Sequence, residues 1–133
     1  MKLEAEGMAP IAEPSEDQVR NLVLSLAMPR PTFASLNDAH GNYIQVAGGR
    51  PWCMVEWRQA NPLVHYGATA KAVRSPYKDG AKIRSGAGEI ALQADEWLLL
   101  KQAAELFLAF RAGKQFPDFV RWRTMNSKLG LSE

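Results

Sequence analysis

The sequence predicts an α+β domain: an antiparallel meander of about five to six strands, with an N-terminal helix and a long C-terminal helix packed on it. Three observations carry this. Residues 41–58, GNYIQVAGGRPWCMVEWR, hold two short runs rich in β-branched and aromatic residues on either side of Gly48-Gly49-Arg50-Pro51. Such residues suit a pleated, half-buried surface, and Gly-Gly supplies the positive φ a tight connection needs. Val19, Leu22, Val23 and Leu26 recur at helical spacing, and so do Leu100, Ala103, Ala104, Phe107 and Leu108.

The elements follow in chain order. Residues 1–14 carry two prolines and little to pack, so they are expected to be a flexible N-terminus. Ser15 opens the first helix. With Gln18 it makes a capping box, and Glu16 and Asp17 suit the positive end of the helix dipole. Pro29 and Pro31 stop this helix, because the residue before a proline avoids the α region. Residues 32–36 read as a strand and 37–42 as a turn rich in residues that tolerate left-handed geometry. Strands follow at 43–47, 52–58 and 63–70, the last after the Asn61-Pro62 break. Residues 71–88 read as a long loop with a short strand near 82–84, and 89–93 return to a strand.

The second helix is placed at about residues 95–112, with Asp95 as N-cap or a start several residues later, since Trp97 to Leu100 can also extend a strand. Its apolar face is broad, as expected of a helix lying flat on a sheet. Gly113 is its C-terminal cap. FVRWR, residues 119–123, alternates apolar and basic and makes a last strand. The domain therefore spans residues 15–123, with 124–133 a peripheral tail.

Composition narrows the class. A chain of 133 residues with 47% hydrophobic and 23% charged residues is one globular domain able to bury a core. A net charge of +2 is too balanced to argue for nucleic acid. The single cysteine, Cys53, excludes an internal disulfide and suits a reducing compartment. No apolar run reaches transmembrane length, and MKLEAEGMAP is too polar for a signal peptide, so no membrane contact and a cytoplasmic location are expected.

No catalytic residue, metal site or cofactor motif stands out. Two dispersed histidines and one cysteine make no metal-ligand pattern. His40 reads as a turn residue, and His65 has no nucleophile at a recognisable spacing. Period-2 alternation puts Cys53, Val55 and Trp57 on one face of their strand and Trp52, Met54 and Glu56 on the other. Cys53 is thus expected in the core, and Glu56 as a cross-strand partner on the solvent face. Residues 71–84 hold five cations and Tyr77, which could suit single-stranded nucleic acid, but 14 acidic residues and the lack of a recognition helix argue against it. Four tryptophans are too many to turn inward without crowding, and Trp is enriched in interface hot spots.

The order of elements, with Val55-Glu56-Trp57, then Ala103, Phe107, Phe110 and Gly113 on the second helix, then Pro117 and Trp122, resembles the small α+β immunity proteins of bacterial polymorphic-toxin systems. The resemblance covers about residues 15–123. It implies a protein without catalysis of its own that binds a cognate toxin in the cytoplasm and occludes its active site. Many immunity proteins against basic nuclease toxins are acidic, whereas this chain is slightly basic. Arg50, Trp52, Arg58, His65, Tyr66, Arg74 and Tyr77 are the expected partner-binding residues, on the hairpin tip, the outer meander or the basic loop. The alternative is a small-molecule-binding or enzymatic α+β domain, which a deep apolar pocket containing His65 or Glu56 would favour. An unpaired edge strand such as 32–36 could also pair with a second copy in a homodimer.

Overall fold

The computed structural model describes residues 1–49, 51–86 and 88–125. Its architecture is the expected α+β one: a large antiparallel sheet with two helices on one face. The strands are β1 (Lys2–Ala5), β2 (Ile11–Ala12), β3 (Phe33–Asn37), β4 (Tyr43–Gly48), β5 (Trp52–Gln59), β6 (Val64–Ala70), β7 (Lys82–Ser85), β8 (Gly88–Ala91), β9 (Leu98–Leu99) and β10 (Val120–Thr124). The helices are α1 (Glu16–Leu24) and α2 (Leu100–Ala112). The main sheet runs β10-β6-β5-β4-β3-β1-β2, with β9 pairing the start of β5. Strands β7 and β8 pair with each other in a separate hairpin.

The meander β3-β4-β5-β6 forms as expected, each strand antiparallel to the next. Val46 stands opposite Val55, Ile44 opposite Trp57, and Trp57 opposite Tyr66. The Asp38 turn is closed by its own side chain, whose Oδ1 accepts from the His40 and Asn42 amides at 2.8 and 3.0 Å. Asn42 Oδ1 then accepts from the Ala60 amide, which ties the two neighbouring turns together.

The N-terminal residues differ from expectation. Residues 1–14 are not a flexible leader: Leu3 is fully buried, and β1 pairs with β3 along its whole length. An apolar residue at every second position of β1 was too short a pattern to separate from a loop. One consequence is that β3 is not an exposed edge, so the proposed edge for a homodimer is already taken by β1.

The helices match their sequence cues at the starts. The Ser15 Oγ accepts from the Gln18 amide at 3.1 Å while Gln18 Oε1 accepts from the Ser15 amide at 2.9 Å. Helix α1 ends at Leu24, ahead of the prolines, because Ser25 turns back: its amide bonds Asn21 and Leu22 carbonyls and its hydroxyl donates to Leu22 O. Helix α2 starts at Leu100, the later of the two expected positions. Asp95 is not its N-cap. Ala94–Glu96 form a separate 3-10 turn, and Leu98–Leu99 stay extended to pair with Cys53 and Trp52. Gly113 ends α2 in the left-handed conformation, φ 67°.

Both helices and the inner sheet face enclose the main core, with Phe107, Leu106, Val19, Val23, Ile44, Val55 and Cys53 all fully buried. A smaller core lies on the opposite face. There Met54, Ile83, Leu92 and Trp97 pack together, with Ala47 and Trp52 partly buried beside them. Strand β5 is therefore buried on both sides at Cys53, Met54 and Val55. A latch holds the β7–β8 hairpin to the rest. Glu6 Oε1 accepts from both the amide and the hydroxyl of the fully buried Thr32, at 2.9 and 2.7 Å, and Thr32 Oγ1 accepts from the Gly86 amide at 2.7 Å.

The expected tail also begins later than residue 124. Thr124 closes β10 opposite Tyr66, and the buried Met125 donates its amide to His65 O at 2.8 Å. The remainder of that tail, 126–133, lies outside the described residues.

Candidate partner-binding surface

The expected binding residues do not form one surface. Trp52 and Tyr77 lie at the start of β5, Arg58, His65 and Tyr66 at its far end on two different faces, and Arg74 in the basic loop. Arg50 lies outside the described residues.

At the start of β5, Trp52 lines a groove of about 470 Å³ together with Gly48, Gly49 and Pro51 of the β4–β5 connection. Tyr77 forms another wall and stacks on Trp97, ring centroids 4.2 Å apart and planes 27° from parallel. Trp97 is only 4% exposed, so Tyr77, at 40%, presents the stacked pair to solvent. The Trp97 indole N–H is buried without a hydrogen-bond partner. Such a donor costs roughly 1–3 kcal/mol when left unmade. Met28, 66% exposed, and Ala27 close the groove from the connection after α1. Lys82 and Arg84 close it from β7, where strand alternation turns both outward while Ile83 faces the smaller core.

Gly48 explains how β7 comes so close. Its φ is +123°, and a Cβ there would lie 2.8 Å from both Ile83 Cδ1 and the Trp52 carbonyl oxygen. Only glycine lets the hairpin and β7 share this corner. The Gly-Gly pair was expected to serve the turn; Gly48 also serves the contact with β7.

At the far end of β5, Arg58 and His65 stand opposite each other on the outer face, with Tyr43 opposite Arg58 on the other side. The Arg58 guanidinium lies over the Tyr43 ring at 5.7 Å, and the Tyr43 and His65 rings meet edge-on at 6.5 Å. Burial, and next the nearby Glu56 carboxylate, raise the Tyr43 hydroxyl above the usual tyrosine pKa. Tyr66 is on the opposite, helix-side face. It stacks on Trp57 at 4.7 Å, and Trp57 meets Phe116 and Trp122 edge-on. Tyr66 thus belongs to an aromatic cluster under the α2–β10 connection rather than to the outer meander. Arg74 is exposed in the basic loop and does not line the groove.

Of the residues lining the groove, Met28 was not expected at a site, and Lys82 and Arg84 were weighed only as part of the basic stretch 71–84. An apolar residue between a helix end and a proline, and two cations flanking a buried Ile83, are weak cues until β7 is placed against Gly48.

Several other polar groups have structural partners. Cys53 is fully buried, as expected, and its thiol contacts Leu98 O at 3.4 Å; burial raises its pKa far above the usual thiol range. Glu56 makes a cross-strand contact with Gln45, whose Nε2 donates to Glu56 Oε2 at 2.6 Å. Arg123 makes a two-pronged contact with Asp95, at 2.6 and 3.2 Å, and also donates to Gln93 Oε1. That contact ties β10 to the 3-10 turn before β9. Glu96, 4% exposed, accepts from the Gln93 amide at 2.9 Å.

A second, smaller pocket of about 180 Å³ lies between the outer sheet face and β8, lined by Phe33, Ser35, Gln45, Met54, Glu56 and Ile90, among others. Among the described residues no group of three or more His, Cys, Asp or Glu is arranged to hold a metal ion. No helix of the described residues is long and apolar enough to cross a membrane. Comparison with protein-family models and with curated protein sequences finds no match.

Proposed function

We propose that the chain is a non-catalytic inhibitor of the immunity type, which binds a bacterial protein toxin in the cytoplasm and covers its active site. The groove between the β4–β5 connection and β7 carries this reading. It gathers the side chains that protein interfaces favour: a half-buried Trp52, Tyr77 on the Trp97 ring, an exposed Met28 and Arg84. The rings and thioether supply apolar contact, and the cations at the rim supply orientation. The resemblance of the helix–sheet order to immunity proteins points the same way.

The experiment is affinity capture on the full chain from the lysate of its native host, with mass spectrometry of what co-elutes. A stoichiometric partner ending in a toxic enzymatic domain is the expected result. Recovery of the folded bait alone would remove the basis for the inhibitor reading.

One observation favours the alternative of a small-molecule domain: Glu56 lines the smaller pocket. Its volume, about 180 Å³, is below the roughly 300 Å³ at which drug-sized ligand sites begin. Only a compact ligand would fit there, so this reading ranks second.

A further inference from the structure

We infer that the groove between the β4–β5 connection and β7 receives an acidic, apolar-spaced segment of a protein partner. The inference rests on the reading of the chain as a protein-binding inhibitor, and it adds the chemistry of what is bound.

Charge supplies the argument. The stretch from Lys71 to Arg84 holds Lys71, Arg74, Lys78, Lys82 and Arg84 against a single carboxylate, Asp79. That carboxylate is exposed but already engaged on the chain itself, where its Oδ1 accepts from the Ala94 amide at 2.7 Å. Among the described residues only Arg84 of these five cations has an ion pair, with Glu89 at 2.9 Å. That pair is exposed, with the Arg84 side chain 78% accessible, so it holds the guanidinium weakly and leaves it open to exchange. Lys82 and Arg84, the two of these five cations that line the groove, make its rim positive while the molecule as a whole carries only +2. A local excess of one sign beside a cleft favours a partner of the other sign.

The floor supplies the second requirement. Tyr77 on Trp97, Trp52 and Met28 contribute aromatic rings and a thioether to the groove. A segment that carried only carboxylates would leave this surface wet. One that alternates carboxylates with aliphatic or aromatic side chains would set its acids at Lys82 and Arg84 and its apolar groups on Tyr77 and Met28. Lys82 and Arg84 are spaced two apart on one strand face, which matches the side-chain repeat of an extended partner segment. Single-stranded nucleic acid is the competing occupant, since it also joins negative charge to stacking groups. The corner offers one stacked ring pair rather than a row of separate platforms, and Met28 suits an aliphatic side chain better than a base, so the peptide is favoured.

The test uses the full chain, isotope-labelled, and amide and indole resonances as the readout. The probes are a synthetic peptide of alternating glutamate with leucine and phenylalanine, the same peptide with lysine for glutamate, and an oligothymidylate. The acidic peptide is expected to shift the resonances of Tyr77, Lys82, Ile83 and Arg84 and the Trp97 indole N–H. The variant K82E/R84E is expected to weaken this binding by at least about tenfold, with an otherwise unchanged spectrum. Absence of those shifts, or equal shifts from the lysine peptide, would overturn the inference. Tighter binding of the oligothymidylate at the same resonances would also overturn it and give the groove to nucleic acid. The two readings fail separately: a toxin captured equally by wild type and K82E/R84E keeps the inhibitor and rejects the acidic-segment groove, whereas peptide binding without any captured toxin does the reverse.

Discussion

Gly48 and Cys53 show how single residues carry the geometry of this domain. Gly48 combines a φ of +123° with two approaches at 2.8 Å, so Gly48→Ala adds both backbone strain and a clash with Ile83. The expected loss is about 3 kcal/mol in urea unfolding. Gly80 has φ +94° but open space around it, so Gly80→Ala is expected to lose only the conformational part, about 1 kcal/mol. Equal losses at the two positions would mean that β7 does not press on Gly48. Cys53 is a different case. Its thiol is fully buried and its ionisation is pushed far up by desolvation, so the reactive thiolate is scarce. A disulfide reagent is expected to label it only at the rate of global unfolding. Rapid labelling of the folded chain would contradict its place beneath β9. Its burial was legible in the sequence, because period-2 alternation put it with Val55. The role of Gly48 was legible only in part, since the turn motif was plain but the approach of β7 was not.

Among the elements, the β7–β8 hairpin depends most on a few polar bonds, because Glu6, Thr32 and Gly86 link it to β1 and β3. The hydroxyl and amide of Thr32, in that order, hold the Glu6 carboxyl below its ordinary pKa. A carboxyl depressed by folding contributes stability that is complete above its unfolded value and is lost as pH falls through the folded one. Stability is therefore expected to fall as the solution is acidified below the ordinary glutamate range, and Glu6→Gln is expected to make that fall shallower. The remaining slope would come from Glu13 and Asp38, which are also held low: Glu13 first by the N-terminal ammonium, Asp38 by Asn42 and the His40 amide against the opposing effect of burial. Urea midpoints at neutral and acid pH for both chains measure this, and identical pH dependences would exclude Glu6 as a contributor. The strands and helices with strong periodicity, β3 to β6 and both helices, were legible in the sequence. Strand β1 was not, and β9 was legible only as one of two options at 97–100, since strands of four and two residues leave too few repeats to read. The earlier of the two expected helix starts, at Asp95, does not form: acids before an apolar run look like a cap, yet Asp95 is held by Arg123 from a distant strand.

In the molecule as a whole, the main sheet carries the helices on one face and the smaller core on part of the other, with a groove at the corner where that core meets the β4–β5 connection. Sequence reasoning found Trp52 and Tyr77 there, because exposed aromatics beside glycine turns and cations are visible in one dimension. The sequence sets Lys82 and Arg84 in the same basic stretch as Tyr77, but they reach Trp52 and Met28 only through long-range packing. Sequence reasoning also grouped Arg58, His65 and Tyr66 with Trp52 and Tyr77, although β5 separates these residues by its length or by its faces. The most direct test of the central claim is an activity assay on the toxic domain of the captured partner, titrated with the full chain. The account predicts a stoichiometric complex in which toxin activity falls to background at equimolar chain, with the fall weakened by K82E/R84E. A partner that keeps full activity when saturated with the chain would contradict it.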